Sequence, residues 1–260
     1  LNIPIIYTVH GTMLLDARKK SICYYIEDFL VNKIKYNLEI SVSKNIYKYN
    51  NKNKIIVIPN WVDIDYFNNV SQVAKYSWKN FIWVGRFDWQ KWLKYLIEGI
   101  NLIDRRLLDQ KGFSLSLVWD GEDIEKITNL VNQFWLNKYI ICKWKIFTEK
   151  LVEEYKQHQI FILPSLAEWQ PLTVLEAFAS KLPIIATNVW DNQDFINDSN
   201  WFLIWSADKY EIKNIIERVL GLHSSDLKKM WEAWYKSVKN QYTWDIMVER
   251  TFTNYLWLMK

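Results

Sequence analysis

The 260-residue sequence predicts an α/β protein with parallel sheets in two domains, and three observations predict it. Between residues 81 and 187 short apolar runs alternate with helical stretches of roughly 10–15 residues, and such crossovers are right-handed and cover both faces of a parallel sheet. Residues 3–58 repeat the theme on a smaller scale, as strand, helix, strand, strand. Residues 68–80, between the two stretches, are polar and poor in apolar side chains, which marks a linker.

Taken in order, residues 3–9 are an apolar run ending at His10-Gly11 and form the first predicted strand. The sequence opens without Met and inside that strand, so an upstream portion is expected. Ile22, Ile26, Phe29, Leu30 and Ile34 recur at helical spacing, which predicts a helix over 16–37, and 38–43 returns to a strand with a polar end. A third strand, 54–58, stops at Pro59-Asn60. Past the linker come strand 81–85, helix 92–104, strand 114–119, helix 122–134, strand 139–143, helix 149–157, strand 159–163, helix 171–180 and strand 183–187. This second domain reads as Rossmann-like. Helices over 208–221 and 224–258 close the chain, the latter broken around 241–243. Met247, Phe252 and Leu256 give its last part an apolar stripe that needs cover.

Composition excludes several classes. A chain that is 50% hydrophobic and 24% charged can bury a core and is not disordered. Apolar runs such as 55–58 and 160–163 fall far short of the roughly 20 residues a bilayer span needs. Cys23 and Cys142 sit in no metal-ligand spacing and cannot build a disulfide framework, so a reducing compartment, the cytoplasm, is expected. The net charge of +4 is mild and the cations are scattered among acids, so nucleic acid is not an expected partner. One pair of counts is abnormal: sixteen Trp stand beside six Gly. Average usage would give about 18 glycines in a chain this long.

Ligands of an open parallel sheet bind beyond the carboxyl ends of its strands, so the loops there carry the chemistry. After strand 81–85 come Gly85, Arg86 and Lys91, two cations at the start of a helix, a pairing that suits a diphosphate. After strand 159–163 the loop holds Glu168, then Pro171 in the first turn of a helix, Leu172, Thr173 and, less than two turns in, Glu176. An isolated pair of acids in such places more often serves the helix dipole and the solvent.

Together these segments resemble the GT-B glycosyltransferases of family four. Pro59-Asn60-Trp61-Val62-Asp63, Val84-Gly85-Arg86 with Lys91, Trp119-Asp120-Gly121, Glu168 and Glu176 around Pro171, and Asn200-Trp201-Phe202-Leu203 follow one another. In that family they read PNGVD, GR…KG, GDG, EGxP…EA and NGFL, in this order. The implied fold is GT-B, two Rossmann-like domains with the first present only in its C-terminal part. The implied domains are residues 1–72 on the acceptor side, 73–240 for the nucleotide sugar, and 241–260 as a helix crossing back to the first domain.

Each departure from these patterns is the same departure. At Trp61, Trp92, Trp119, Trp169 and Trp201 the family has glycine, and Trp135, Trp144 and Trp190 also fall where it commonly has one. Glycine serves there for positive φ or for close approach to phosphate, and Trp supplies neither. The expectation is that most of these tryptophans are a codon, most simply UGA, that the source organism decodes as glycine. Trp244 is the expected exception, because the family often has Trp after such an aromatic-Thr step.

The resemblance implies transfer of a sugar from a nucleotide diphosphate sugar to an acceptor hydroxyl with retention at the anomeric carbon, in cell-surface polysaccharide or glycolipid synthesis. Gly85, Arg86 and Lys91 would meet the diphosphate, and Glu176 the ribose. Glu168 would hold hydroxyls of the donor sugar, and the helix start at Pro171, Leu172 and Thr173 the distal phosphate. His10, by itself a lone loop histidine, would face the donor sugar, so the expected catalytic set is His10, Arg86, Lys91 and Glu168. No cofactor and no metal are expected: Asp63-Ile64-Asp65 mimics a metal-binding DxD, but the family uses that Asp structurally. The implied partners are the donor and a glycan or lipid-linked acceptor, reached at the inner face of a membrane, with the oligomeric state left open. The alternatives are a GT-B nucleotide-sugar epimerase and a non-catalytic nucleotide-binding remnant. The sequons at Asn69 and Asn197 are common by chance in an Asn-rich chain.

Overall fold

A computed structural model of the chain describes residues 4–10, 22–44, 54–68, 79–86, 92–118, 124–143, 146, 148–166, 168, 170–189, 201–205 and 208–259. The chain divides into two compact units, Leu1–Trp61 with Gln241–Lys260, and Val62–Asn240.

The first unit holds a parallel sheet in the order β1 (Ile6–Val9), β2 (Leu38–Ser41), β3 (Ile55–Val57), with the helix α1 (Ile22–Lys33) joining β1 to β2. Leu38, Ile40 and Ile58 are buried, and Ile6, Ile56, Met247 and Leu258 pack on them. The C-terminal helix Trp244–Leu258 thus serves as cover for this sheet. It starts at Thr243, whose side chain accepts from the Ile246 N–H at 3.4 Å. Trp244 meets Trp61 edge-on at 4.4 Å, and Lys54 Nζ lies 3.4 Å above the Trp257 ring. The expected stripe is only partly used, because Phe252 and Leu256 are exposed. Phe252 follows Met247 by five residues, about 140° further round a helix, and cannot share its face.

The second unit is a parallel sheet in the order β6-β5-β4-β7-β8-β9. Its elements are α2 (Ile64–Asn68), β4 (Lys79–Val84), α3 (Leu93–Asn101), α4 (Arg105–Gln110), β5 (Phe113–Val118), α5 (Ile124–Gln133), β6 (Ile140–Lys143), α6 (Thr148–Gln157), β7 (Ile160–Leu163), α7 (Leu172–Ala179), β8 (Ile184–Thr187), β9 (Trp201–Ile204), α8 (Lys209–Gly221) and α9 (Ser224–Lys239). Phe81 to Val84 and Ile160 to Leu163 are buried without interruption, as strands covered on both faces must be. α3 packs against α8 with glycine at the contact: a Cβ on Gly99 would lie 2.9 Å from both Ile212 Cγ2 and the Lys209 carbonyl oxygen.

Three elements have no counterpart in the sequence reading, α2, α4 and β9. Both short helices are built by a cap rather than by a long apolar stripe: Asp63 accepts from the Tyr66 N–H at 2.9 Å, and Asp104 from the Arg106 N–H at 2.8 Å. β9 forms because β8 offers it an edge, Ile184 pairing with Trp201.

Candidate active site

β4 and β7 are neighbours in the sheet although β5 and β6 lie between them in the chain. The chain leaves β4 to build β5 and β6 on one side, then returns to add β7, β8 and β9 on the other. Where the order reverses, the loops following two adjacent parallel strands run in opposite directions and leave a crevice outside their carboxyl ends. Gly85 and Arg86 follow one of those strands, and residues 164–171 follow the other.

At the end of β4 the Gly85 N–H donates to the Val118 carbonyl at 3.3 Å. The position is tight, since a Cβ there would come within 3.1 Å of the buried Trp83 ring. Arg86 is exposed beyond it, and Lys91 lies outside the described residues.

The loop after β7 is clamped by one hydroxyl. Thr187, the last residue of β8, accepts from the Ser165 N–H at 2.9 Å and donates to the Ser165 carbonyl at 2.7 Å. Glu168 is buried in this loop. Gln170, also buried, holds a left-handed backbone with φ 51°, a strain that persists only where the surroundings impose it. Pro171 then opens α7 without a side-chain cap. The first N–H groups of a helix have no intrahelical partner, and at α7 these are the groups of Leu172 and Thr173.

Little more than one turn later Glu176 is mostly buried, and burial pushes its carboxyl above the usual range. One donor opposes that rise: the fully buried Tyr155 on α6 gives its hydroxyl to Glu176 Oε2 at 2.9 Å, with the Thr173 carbonyl 3.3 Å away. Burial and the neighbouring carboxylate drive the phenol's own pKa far up, so it stays a donor. Nothing in the sequence marks Tyr155 beyond its place on the apolar stripe with Leu151 and Val152, and the role of Thr187 is equally silent there.

His10 belongs to the other unit, at the end of β1, and is exposed. It lines a cavity of about 260 Å3 together with Thr8, Asn60, Trp61, Met247 and Thr251. Asp63 is committed to the α2 cap, as a structural role requires, while Asp65 is exposed.

Of the predicted glycine positions, Trp61, Trp92, Trp135 and the backbone of Trp201 are described, and Trp119, Trp144, Trp169 and Trp190 lie outside the described residues. Trp92 stands before α3 with φ 48° and ψ 28°, left-handed. Trp135 has φ 55° in the turn that ends α5, where its N–H bonds the Asn132 carbonyl and the Leu136 N–H bonds the Val131 carbonyl. That pair of bonds is the Schellman ending, whose left-handed residue is usually glycine. The same ending follows α7, with Lys181 at φ 62°, and α4 closes into left-handed Gly112 at φ 58°. Positive φ is not general to the predicted positions: Trp61 and Trp201 are not left-handed, the latter being extended in β9. There a glycine serves backbone approach or nothing that the fold requires.

A family model described as glycosyl transferases group 1 matches residues 79–222, over half of the chain. Among curated relatives, an Escherichia coli UDP-Gal:alpha-D-GlcNAc-diphosphoundecaprenol alpha-1,3-galactosyltransferase is 27% identical over 235 residues, 83% of this chain and 59% of that protein. An uncharacterized 41.2 kDa protein in the cps region of Klebsiella pneumoniae is 25% identical over 85% of this chain and 61% of its own length. The chain thus spans about 60% of the length of these relatives. Among solved structures, sucrose-phosphate synthase from Thermosynechococcus elongatus superposes with a TM-score of 0.82 at 19% identity, over 100% of this chain and 69% of that one. Anabaena HepE in complex with UDP and glucose gives 0.80 at 14%, over 96% and 71%.

Proposed function

The chain belongs to the glycosyl transferases group 1 and has their GT-B fold, and from that premise we propose that it transfers a sugar from a nucleotide diphosphate sugar to an acceptor hydroxyl with retention. The observation that carries this reading is the meeting of two unlike loops at the β4–β7 switch point: a cation after β4, and buried acids with an open helix start after β7. A diphosphate needs the cation and the helix start, and sugar and ribose hydroxyls need carboxylate acceptors.

In this mechanism Arg86 and Lys91 neutralise the diphosphate as the bond between the anomeric carbon and the phosphate oxygen breaks. The Leu172 and Thr173 N–H groups receive the distal phosphate, Glu168 holds donor-sugar hydroxyls, and Glu176 accepts from the ribose. The acceptor oxygen bonds to the anomeric carbon on the face the phosphate leaves, and its proton passes to the departing phosphate oxygen. His10 completes the proposed catalytic set. Neither metal nor cofactor enters the reaction. Burial pushes the Cys142 thiol up, away from the thiolate a nucleophile needs. The E. coli relative's undecaprenol-linked acceptor and the Klebsiella relative's cps setting support a lipid-linked or glycan acceptor and cell-surface polysaccharide or glycolipid synthesis. The proposal includes a cytoplasmic enzyme that reaches such an acceptor at the inner face of a membrane. No helix among the described residues is long and apolar enough to cross a membrane.

Incubating the full-length protein with a panel of nucleotide diphosphate sugars and glycan acceptors tests the reading. Release of nucleoside diphosphate coupled to a larger glycan is expected. A nucleotide sugar returned with an inverted carbon would make it an epimerase, and binding without turnover a remnant.

The site also depends on which residues the native chain carries, and the tryptophans at the family's glycine positions are part of this proposal: most of them are glycine in the native protein, Trp244 excepted. Left-handed backbone at Trp92 and in the Schellman turn at Trp135 supports this, because an L-residue there carries about 1–2 kcal/mol of strain that glycine does not. The near match between excess Trp and missing Gly supports it independently. Peptide mass spectrometry of the protein from its own organism is expected to find glycine masses at positions 92 and 135, and indole masses at both would overturn it.

A further inference from the structure

Among the described residues, a single oxygen of the Glu176 carboxylate is held. Oε2 accepts from Tyr155, and among the described residues Oε1 has no partner. The holding group is rigid, because Tyr155 has no exposed surface and its ring is walled by Phe67 at 6.0 Å and Phe161 at 6.2 Å. A phenol enclosed by apolar rings has to place its O–H on an acceptor, and the polar atoms in reach are Glu176 Oε2 and the Thr173 carbonyl. Those two acceptors lie on the first two turns of α7, the turns that carry the open N–H groups and the acid of the crevice. One buried hydroxyl therefore reaches both parts of the helix start.

We propose that Tyr155 is a positioning residue for nucleotide binding: from beneath α7 it fixes the Glu176 carboxylate so that Oε1 alone is presented to the nucleotide's hydroxyls. This rests on the reading of Glu176 as the ribose acceptor. Without Tyr155 the carboxylate is free to rotate about its terminal torsions, and the pose that turns Oε1 toward the hydroxyls is one of several rotamers rather than the one imposed. The bond does a second thing. Burial raises the Glu176 pKa and the phenol holds that rise down, keeping the carboxylate, a stronger acceptor than the neutral acid, ionised further into the acid range.

The test uses the full-length protein with UDP as probe, measuring the Kd by calorimetry between pH 5 and 8 for the wild type, Tyr155→Phe and Glu176→Gln. Tyr155→Phe keeps the ring packing and should weaken UDP binding roughly three- to tenfold at pH 7. It should also move the acid limb of binding to higher pH, which a merely structural loss does not do. Incorporating 3-fluorotyrosine at position 155, a stronger donor of nearly the same size, should move that limb the other way and guards against a variant that fails to fold. If Glu176→Gln weakens UDP binding and Tyr155→Phe changes neither Kd nor pH limb, this inference is overturned while the site assignment stands. If Glu176→Gln leaves UDP binding unchanged, the assignment of Glu176 itself fails, and the inference with it.

Discussion

At the scale of single residues, the sharpest features are groups held in states their chemistry resists. Glu176 is ionisable, mostly buried and raised above its ordinary carboxyl value of 4.5. Above its folded-state pKa it therefore lowers stability, and that deficit disappears as pH falls through the folded value toward the unfolded one. Glu176→Gln is expected to raise Tm at pH 7 to 8, with the gain gone by pH 4, as thermal melts across that range will read. Trp135 is the backbone counterpart, left-handed and 86% exposed, so its indole offsets little of the strain. Trp135→Gly in the tryptophan-bearing chain should stabilise by about 1 kcal/mol, against the usual penalty for glycine, and a denaturation midpoint that fell instead would show the turn to be unstrained. Arg86→Ala should weaken UDP binding at least tenfold, since a charge-assisted contact contributes about 1.5–3 kcal/mol. Unchanged affinity would put the diphosphate elsewhere.

At the scale of elements, the site is set by how helices and strands end. α7 begins at an uncapped proline, while α4, α8 and the C-terminal helix have side-chain caps from Asp104, Asp208 and Thr243. α3, which begins at Trp92, likewise has no side-chain cap, so the two uncapped starts follow β4 and β7, the strands of the switch point. The strand ends are fastened as firmly as the helix is left open, by Thr187 onto Ser165 and by Gly85 onto Val118. Helix packing is equally specific. Gly99→Ala should cost roughly 1–3 kcal/mol, because the added methyl meets the backbone of Lys209 as well as Ile212, and a carbonyl cannot turn aside as a flexible side chain does. Urea unfolding measures it, and an unchanged midpoint would mean that α3 and α8 slide apart freely.

At the scale of the whole molecule, the two units differ in what their sheets can hold. The larger has a switch point and buried acids beside it; the smaller has His10 and a cavity of its own, walled by Asn60, Trp61 and the C-terminal helix. In the proposed reaction the acids serve hydroxyls and the cations serve phosphate, and among the described residues no cluster of carboxylates or other ligands is left for a divalent ion. Transfer is therefore expected to survive EDTA. Loss in EDTA with rescue by manganese would return Asp63 and Asp65 to consideration, at the cost of the α2 cap that Asp63 now makes.

Read alone, the sequence determined the alternation of strands and helices from Phe81 to Thr187, the loops in which Arg86 and Glu168 sit and the helix that carries Glu176, because apolar period and turn residues are local properties of the chain. It also exposed the tryptophans, through counts and spacing. Tertiary structure decided that β7 returns to the side of β4, so that two loops some eighty residues apart share one crevice, since strand order depends on pairing between segments far apart. It decided which tryptophan positions are left-handed: Trp92 and Trp135 are, Trp61 and Trp201 are not, because φ follows from how a turn is closed by its neighbours. It alone found Tyr155, whose residue type and helical spacing announce only a core aromatic. Its proposed role comes from the two acceptors on α7 that its buried hydroxyl can reach from α6, and no periodicity records a contact of that kind.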